Sequence, residues 1–521
     1  MLESKQASAA RSPELPRRSI WSAKGDPLRF PTLASDLIVD TVIIGAGITG
    51  ITTAAQLVRA GKRVAVLEAM KIGHGTTGHS TGNLYAPVDE SMSRLGKKWG
   101  GDKIRAVVQS RKAAIDLIER NIAEYGLGCE FSRQPWVLYS SQGLRAEIDQ
   151  IENEYKAAID TGLAARLTGD LPLPYPVKAA LVIENQAQFH PLKYVRQLAN
   201  AIRSSDCLIF EDSPVLDIDE QQGVVRTASC TVKAEQIVMA THTPKGFNVL
   251  QTELGPYREY AVAALLGERQ LPGGIFWSTG TPKGSTRLVE LQGRPYALMI
   301  GEKHKTGQHQ DTEAGYLALE ASLRARFNVK AIAFQWSAQH YRAADGLPYI
   351  GLAPGSSRLY LASGFAADGL TYGTLAAIIL ADEITGTGSP FSELYSPRRF
   401  TPLKSAKNFF KENLNVASFY IKDYAQGAAA KKLAEVAPGE GELVDVDGDK
   451  MAVYRDENGR LYILSPVCMH LKCIVHWNRA ERSWDCPCHG SRFFYDGKVI
   501  EGPALEPLQP HDGTRNDSIH H

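Results

Sequence analysis

Residues 40–68 read DTVIIGAGITGITTAAQLVRAGKRVAVLE. Thr41, Val42, Ile43 and Ile44 form a short run rich in β-branched residues, the pattern of a strand buried on both faces of a parallel sheet. Gly45, Gly47 and Gly50 follow in G-x-G-x-x-G spacing. The first permits a sharp turn, the second lets a pyrophosphate approach the backbone, and the third lets helix and strand pack closely. Ile51, Ala54, Ala55 and Val58 recur at helical spacing until Gly61 stops the helix. Residues 63–67 make the next strand, and Glu68 ends it, where a carboxylate can take both ribose hydroxyls. The helix N-terminus offers N–H groups and a positive dipole end to phosphates. These offsets make Gly45, Ala46, Gly47, Ile48, Thr49, Gly50, Glu68 and Ala69 a dinucleotide-binding unit. The unit alone does not separate NAD from FAD.

The 521 residues exceed one simple core, so two or three domains are expected. Lys and Arg total 58 against 57 Asp and Glu, a near balance that gives no reason to expect a nucleic-acid or anionic-membrane partner. The longest apolar runs are too short and interrupted for a transmembrane segment, and the polar first residues carry no apolar signal region. Four of the 7 cysteines (Cys468, Cys473, Cys486 and Cys488) crowd into one stretch, while Cys129, Cys207 and Cys230 are scattered. That placement reads as one metal centre on a cytoplasmic enzyme, with the scattered three as buried thiols.

Residues 1–36 hold Pro13, Pro16, Pro27 and Pro31 and read as an extended arm. Residues 73–83 are a glycine- and hydroxyl-rich loop with many donors and little bulk. Ile104, Val107, Val108, Ile115, Ile118 and Ile122 mark a long helix stopped by Gly126, and Leu144 to Ala158 mark another. Residues 213–218, 224–226 and 230–232 predict a small antiparallel meander, and 237–240 a further strand. Strands dominate 251–334, with one helix near 312–327. Residues 345–348 (Asp-Gly-Leu-Pro) precede a strand at 358–362, a loop at 364–372 and a helix at 373–385. From Gly439 the texture is all-β, with strands at 442–446, 451–454 and 461–464 and turns at Asp447-Gly448 and Asn458-Gly459.

Taken in order, the opening fingerprint, the loop at 76–83, the strand end at 238–241, the Asp-Gly-Leu-Pro stretch and residues 364–371 resemble the D-amino-acid-oxidase-like flavoproteins, which include glycine and sarcosine oxidases. The resemblance implies FAD. It lays Thr76, Thr77, His79, Ser80, Thr81, Gly82 and Asn83 along the flavin pyrophosphate and ring. It sets the backbone of Val215 against adenine, with Ala240 and Thr241 beside the cofactor. Gly364, Phe365, Asp368, Gly369, Leu370 and Thr371 would cap the pyrimidine end, where N–H groups at a helix start stabilise the negative charge of reduced flavin. His74 and His79 stand where some relatives attach FAD covalently; covalent and non-covalent binding both stay open.

Cys468 and His470 form C-x-H, and Cys486 and His489 form C-x-x-H before Gly490 and Ser491. This is similar to the Rieske pattern, in which one iron takes two thiolates and the other two imidazoles, raising the potential above that of all-cysteine clusters. A Cys₂His₂ zinc site spaces its ligands differently. The resemblance implies a [2Fe-2S] cluster on Cys468, His470, Cys486 and His489. It also implies a disulfide between Cys473 and Cys488, a donor to sulfur at Ser491 and a covering proline loop at Gly502-Pro503-Ala504. Phe493 stands where high-potential relatives carry tyrosine.

The expected architecture is an α/β FAD-binding domain (Rossmann-like, glutathione-reductase-type) with an interleaved α+β substrate domain, plus a small all-β Rieske domain. The expected divisions are an arm at 1–36, an oxidoreductase domain at 37–390, a linker at 391–426, a Rieske domain at 427–511 and a tail at 512–521. FAD-binding pieces fall at about 37–90, 190–245 and 340–390, and substrate-domain pieces at about 91–189 and 246–339. Flavoproteins of this class move hydride from a C–N bond to flavin N5. The expected function is therefore oxidation of an amine or amino acid, with electrons passing singly through the cluster to an external acceptor. An O₂-using oxidase with a secondary cluster, or a redox-sensing electron carrier without a small-molecule substrate, are the alternatives. Where amino-acid oxidases of the class hold the substrate carboxylate with arginine, this chain has His340, with Arg342 two residues on. Candidate site residues are His304, Lys305, His340, Arg342 and Tyr372, with Tyr257, Arg258 and Tyr341 nearby.

Overall fold

The structure is a computed structural model that describes residues 17–23, 28–245, 249–309, 311–399 and 433–511. An eight-stranded sheet carries the nucleotide motif. Its main path runs Tyr349–Leu352, Leu359–Ser363, Thr231–Met239, Leu37–Ile44, Val64–Leu67, Cys207–Phe210. Every join is parallel except that between Tyr349–Leu352 and Leu359–Ser363. Side chains alternate between two buried faces. Ile43, Val66 and Val238 join the core that includes the helices, and Val42, Ile44, Leu67 and Met239 join the core on the other side. Burial on both faces is why residues 41–44 carry no polar–apolar alternation. Helix Ile48–Arg59 packs against helices Gly369–Thr385 and Pro191–Ile202.

A nine-stranded sheet forms the second layer, in the order Val329–Ala343, Leu254–Leu266, Arg294–Lys305, Gly284–Leu291, Ile275–Ser278, Ser132–Ser140, Ala179–Gln188, Asn83–Leu84, with Ala165–Thr168 beside Ala179–Gln188. The two sheets therefore draw alternately on the chain, as the interleaving predicts. Strand Val329–Ala343 runs past the expected piece boundary at 340, and Asn83–Leu84 joins the second sheet. Residues 231–239 form one strand where two were expected, because the whole segment pairs in register with Leu37–Ile44. The helix expected at 373 begins at Gly369. No helix among the described residues is long and apolar enough to cross a membrane.

The C-terminal region is all-β. Gly441–Val446, Asp449–Arg455 and Leu461–Leu464 make an antiparallel sheet, and His476–Asn478, Ser483–Asp485, Arg492–Phe494 and Val499–Glu501 make another. Its core gathers Cys468, Cys486, Trp484 and Phe493. Of the expected arm, residues 17–23 and 28–36 lie against the oxidoreductase body; Trp21 Nε1 donates to Ser80 O at 2.6 Å. The expected linker is described only to residue 399, where Arg399 pairs with the buried Asp345 at 2.8 Å. Its aromatic residues Phe409, Phe410 and Tyr420, the start of the arm and the expected tail lie outside the described residues.

Candidate flavin and iron–sulfur sites

The glycine turn is as tight as its spacing implies. A Cβ on Gly45 would lie 2.6 Å from Ala240 O, and one on Gly50 would lie 1.9 Å from Gly45 O. Gly45 itself has φ +102°, where a side chain is strained. Helix Ile48–Arg59 has no side-chain cap and no acid in its first turn, and neither does helix Gly369–Thr385. Their first turns touch: a Cβ on Gly373 would lie 2.7 Å from Thr49 Oγ1. Two uncapped helix starts side by side, floored by glycine, suit a pyrophosphate and an electron-rich ring. Glu68 ends its strand in reach of the turn, accepting from Ala46 N at 2.8 Å and Met70 N at 2.9 Å. Ser213 N donates to Glu68 O, which brings the Val215 segment alongside.

The loop at 76–83 is pinned from several directions. Thr77 Oγ1 accepts from Ile48 N, His79 O from Trp336 Nε1, and Thr81 O from Arg287 Nη1. Asn83 donates to Ser285 Oγ at 3.4 Å. His79 holds Gly75 O through Nδ1, and burial lowers its pKa; His74 lies 6.2 Å from it, ring to ring. Residues 364–371 are tied to the large sheet: Ala366 N donates to Tyr341 O at 2.8 Å, and Phe365 bridges to Arg342. Asp368 Oδ2 accepts from Asp89 N and pairs with the fully buried Arg111 at 3.0 Å, while its Oδ1 is buried without a hydrogen-bond partner among the described residues. Arg111 also lies over the ring of buried Tyr372 at 4.5 Å.

The candidate substrate residues divide by strand face. Tyr257 pairs in register with His340, and their rings stack at 5.9 Å. Glu259, two residues on, lies 3.9 Å from His340 Nδ1 and 3.7 Å from Lys303 Nζ, which is 3.1 Å from Asp89. Arg342 pairs with Glu90. His340 is buried, its Nε2 has no hydrogen-bond partner among the described residues, and burial keeps the ring neutral. His304 does not join this group. It stacks on Tyr260 at 5.3 Å, toward Tyr316 of helix Ala314–Arg326. Lys305 pairs in register with Tyr257. Sequence reading missed Asp89, Glu90, Glu259, Lys303 and Arg111. Two had signals: Lys303 shares a strand face with Lys305 by period two, and Arg111 lies on the apolar stripe of its helix, three residues after Val108.

At the second site, Cys468 and Cys486 come from adjacent loops. The neighbouring Cys486 thiol, with the His470 N–H, the Ser491 side chain and the Leu471 N–H, lowers the Cys468 thiol below its ordinary value against the effect of burial. The His470 and His489 rings meet edge-on at 5.1 Å. His489 Nδ1 is buried without a hydrogen-bond partner, and burial lowers the ring to about 4, so it stands neutral as a metal-ligating imidazole must. Cys473 and Cys488 form a disulfide joining the two loops. That removes them from the close group they make with Cys486. Two thiols, two imidazoles and an orphaned ring nitrogen fit a Rieske cluster. Ala504 N donates to Ser491 Oγ, fastening the Gly502-Pro503-Ala504 loop over the site.

The tip bearing both histidines is seated on the oxidoreductase body. His470 Nε2 lies 2.8 Å from Gln251 Oε1, and Gln339 donates to Gly490 O at 2.8 Å. Tyr341 Oη shares its one proton between His489 O at 3.2 Å and Gly502 O at 3.1 Å. Glu481 joins Arg258 at 2.5 Å, Ser337 and Arg492, and His242 joins Glu501 at 2.8 Å.

Residues 40–383 match the family FAD dependent oxidoreductase, and residues 428–512 match the Rieske [2Fe-2S] domain. YhfW of Bacillus subtilis (strain 168), whose name describes a Rieske 2Fe-2S iron-sulfur protein, is 33% identical over 497 residues, 94% of this chain and 97% of that one. Gamma-glutamylputrescine oxidoreductase of Escherichia coli (strain K12) is 26% identical over 240 residues, 42% of this chain and 53% of its own. Glycine oxidase from Geobacillus kaustophilus shares the fold, with a TM-score of 0.58 at 19% identity over 70% of this chain and 100% of that one. With the cradle and the two-loop ligand set described above, these matches make the chain a member of the FAD dependent oxidoreductase family that binds FAD and, through an added Rieske domain, a [2Fe-2S] cluster.

Proposed function

We propose that the chain is a cytoplasmic dehydrogenase that oxidises a C–N bond of an amine or amino acid and passes the electrons through its own Rieske centre to an external acceptor. The observation that carries this is the seating of the histidine tip. Tyr341 donates its hydroxyl to His489 O, while its own carbonyl takes Ala366 N–H from the loop at 364–371. One residue thus touches the segments assigned to both cofactors. Gly45, Gly47 and Gly50 with Glu68 would hold the dinucleotide end of FAD, and residues 76–83 and 364–371 its ring. Cys468, His470, Cys486 and His489 would ligate the cluster. Bound there, the flavin supplies a two-electron acceptor and the cluster a one-electron relay. The chain's own part is positional: Arg111 holds the Asp368 turn, Gln251 and Tyr341 hold the cluster tip, and the large sheet covers the substrate side.

Cys468→Ser tests the relay. Anaerobic flavin reduction by substrate should persist while turnover with an artificial one-electron acceptor falls to background. Unchanged acceptor turnover would remove the cluster from the path, and rapid O₂ consumption would favour the oxidase reading. A second test concerns tuning. Phe493 is fully buried in the cluster core and brings no donor. Phe493→Tyr adds one, and donors stabilise the reduced cluster, so its midpoint potential should rise. A redox titration showing no change, or a fall, counts against that placement.

A further inference from the structure

Arg342 is the residue a carboxylate-bearing substrate would be expected to meet, and its guanidinium is already paired with Glu90. Lys303, the next cation along this face, is 3.1 Å from Asp89. Arg342 and Lys303 are therefore each matched by a protein carboxylate, while Lys305 lies on the same face opposite Tyr257. Glu259 stands farther from Lys303 than Asp89 does, at 3.7 Å, and faces the neutral His340 ring at 3.9 Å; burial raises its carboxyl, as do Asp89 and Asp368, and Lys303 opposes them. His340 Nε2 is buried without a hydrogen-bond partner among the described residues, a polar atom waiting for one. The group borders the loop at 364–371, because Arg342 bridges to Phe365.

An entering carboxylate would leave water, meet two occupied cations and approach the negative charge of Glu259. An entering ammonium would meet that charge and the open nitrogen of His340. The Glu90–Arg342 pair also stands nearer the rim, with side chains 22% and 34% exposed against 9% and 6% for Glu259 and His340. It can thus screen what reaches the inner pair.

Resting on the reading of this face as the substrate side, we propose that the substrate is an amine with no carboxylate on the oxidised carbon, that it enters as its cation, is held by Glu259 and His340 and gives its N–H proton to His340 Nε2 before it is oxidised, and that Glu90 excludes amino acids by occupying Arg342. The test follows flavin absorbance of the holoenzyme without oxygen, using matched pairs: phenethylamine with D- and L-phenylalanine, ethylamine with D- and L-alanine, 1,4-diaminobutane with D- and L-ornithine. The amine of at least one pair should reduce the flavin about tenfold faster or more than its carboxylated partner, the direction expected when a like charge is brought up to Glu259. Glu90→Gln should free Arg342 and narrow that ratio, with Glu90→Asp keeping it; retained flavin and cluster absorbance shows that the variants are folded. A faster carboxylated partner in every pair, or a ratio unmoved by Glu90→Gln, overturns the inference and leaves the proposed oxidation standing. Inertness of all these compounds toward a flavin that dithionite reduces overturns both.

Discussion

Glu481→Gln is expected to destabilise the seated cluster domain by about 3–5 kcal/mol, the usual cost of removing one partner from a buried ion pair. Arg258, on the large sheet, has a side chain only 2% exposed and is paired with Glu481 at 2.5 Å. Arg492 would keep Asp485 at 2.9 Å, but Arg258 would be left with no carboxylate in this network. Burial alone would raise the Glu481 carboxyl; Arg258 and Arg492 outweigh it and hold the group well below the ordinary carboxylate range. A depressed native pKa gives stability that is present above the unfolded value and lost as pH falls through the native one. Acidification should therefore weaken the wild-type seating progressively below about pH 4.5, the ordinary glutamate value, and affect the glutamine variant less. The measurements are the urea midpoint of the cluster-domain transition and the rate of cluster reduction after flavin reduction. Both should fall in Glu481→Gln, and adding Arg258→Met should restore much of the stability because the unpaired charge is gone. Unaltered midpoint and unaltered rate would mean that the pair does not hold the domain.

Gly50→Ala should remove FAD. The added methyl would fall 1.9 Å from Gly45 O, a rigid backbone atom, so strand end and helix start must separate. Overpacking of this kind costs about 1–3 kcal/mol, and here the displaced atoms are those of the phosphate turn itself. The purified variant should lack bound flavin while keeping the Rieske EPR signal, whose ligands lie in another unit. Gly61→Ala is the control. That glycine has φ +76° with nothing within 4 Å of the added methyl, so only the left-handed conformation is penalised, by about 1–2 kcal/mol, and FAD should stay. Equal flavin content in wild type and Gly50→Ala would show that the turn does not bind the cofactor.

Much of this protein is legible one segment at a time. The glycine spacing, the acid ending the second strand and the C-x-H and C-x-x-H pairs are short-range patterns, because a phosphate turn and a two-loop metal site each demand fixed offsets along the backbone. So are the turns at Asp447-Gly448 and Asn458-Gly459, which lead into antiparallel strands as their chemistry requires. The substrate face was less legible. His340 and Arg342 stood out by their place before the Asp-Gly-Leu-Pro stretch. His304 also stood out by residue type, yet it turns to the opposite face of its strand.

What the chain's order of residues determined by itself was the pair of cofactor classes and the folds that carry them. Tertiary structure alone decided how they work together. Arg258 meets Glu481 across 223 residues, and Arg342 meets Glu90 across 252. Nothing in the local pattern pairs these charges. An isolated charged residue reads as a solvated one until the fold brings a distant partner against it and, for Arg258, takes the side chain out of water as well.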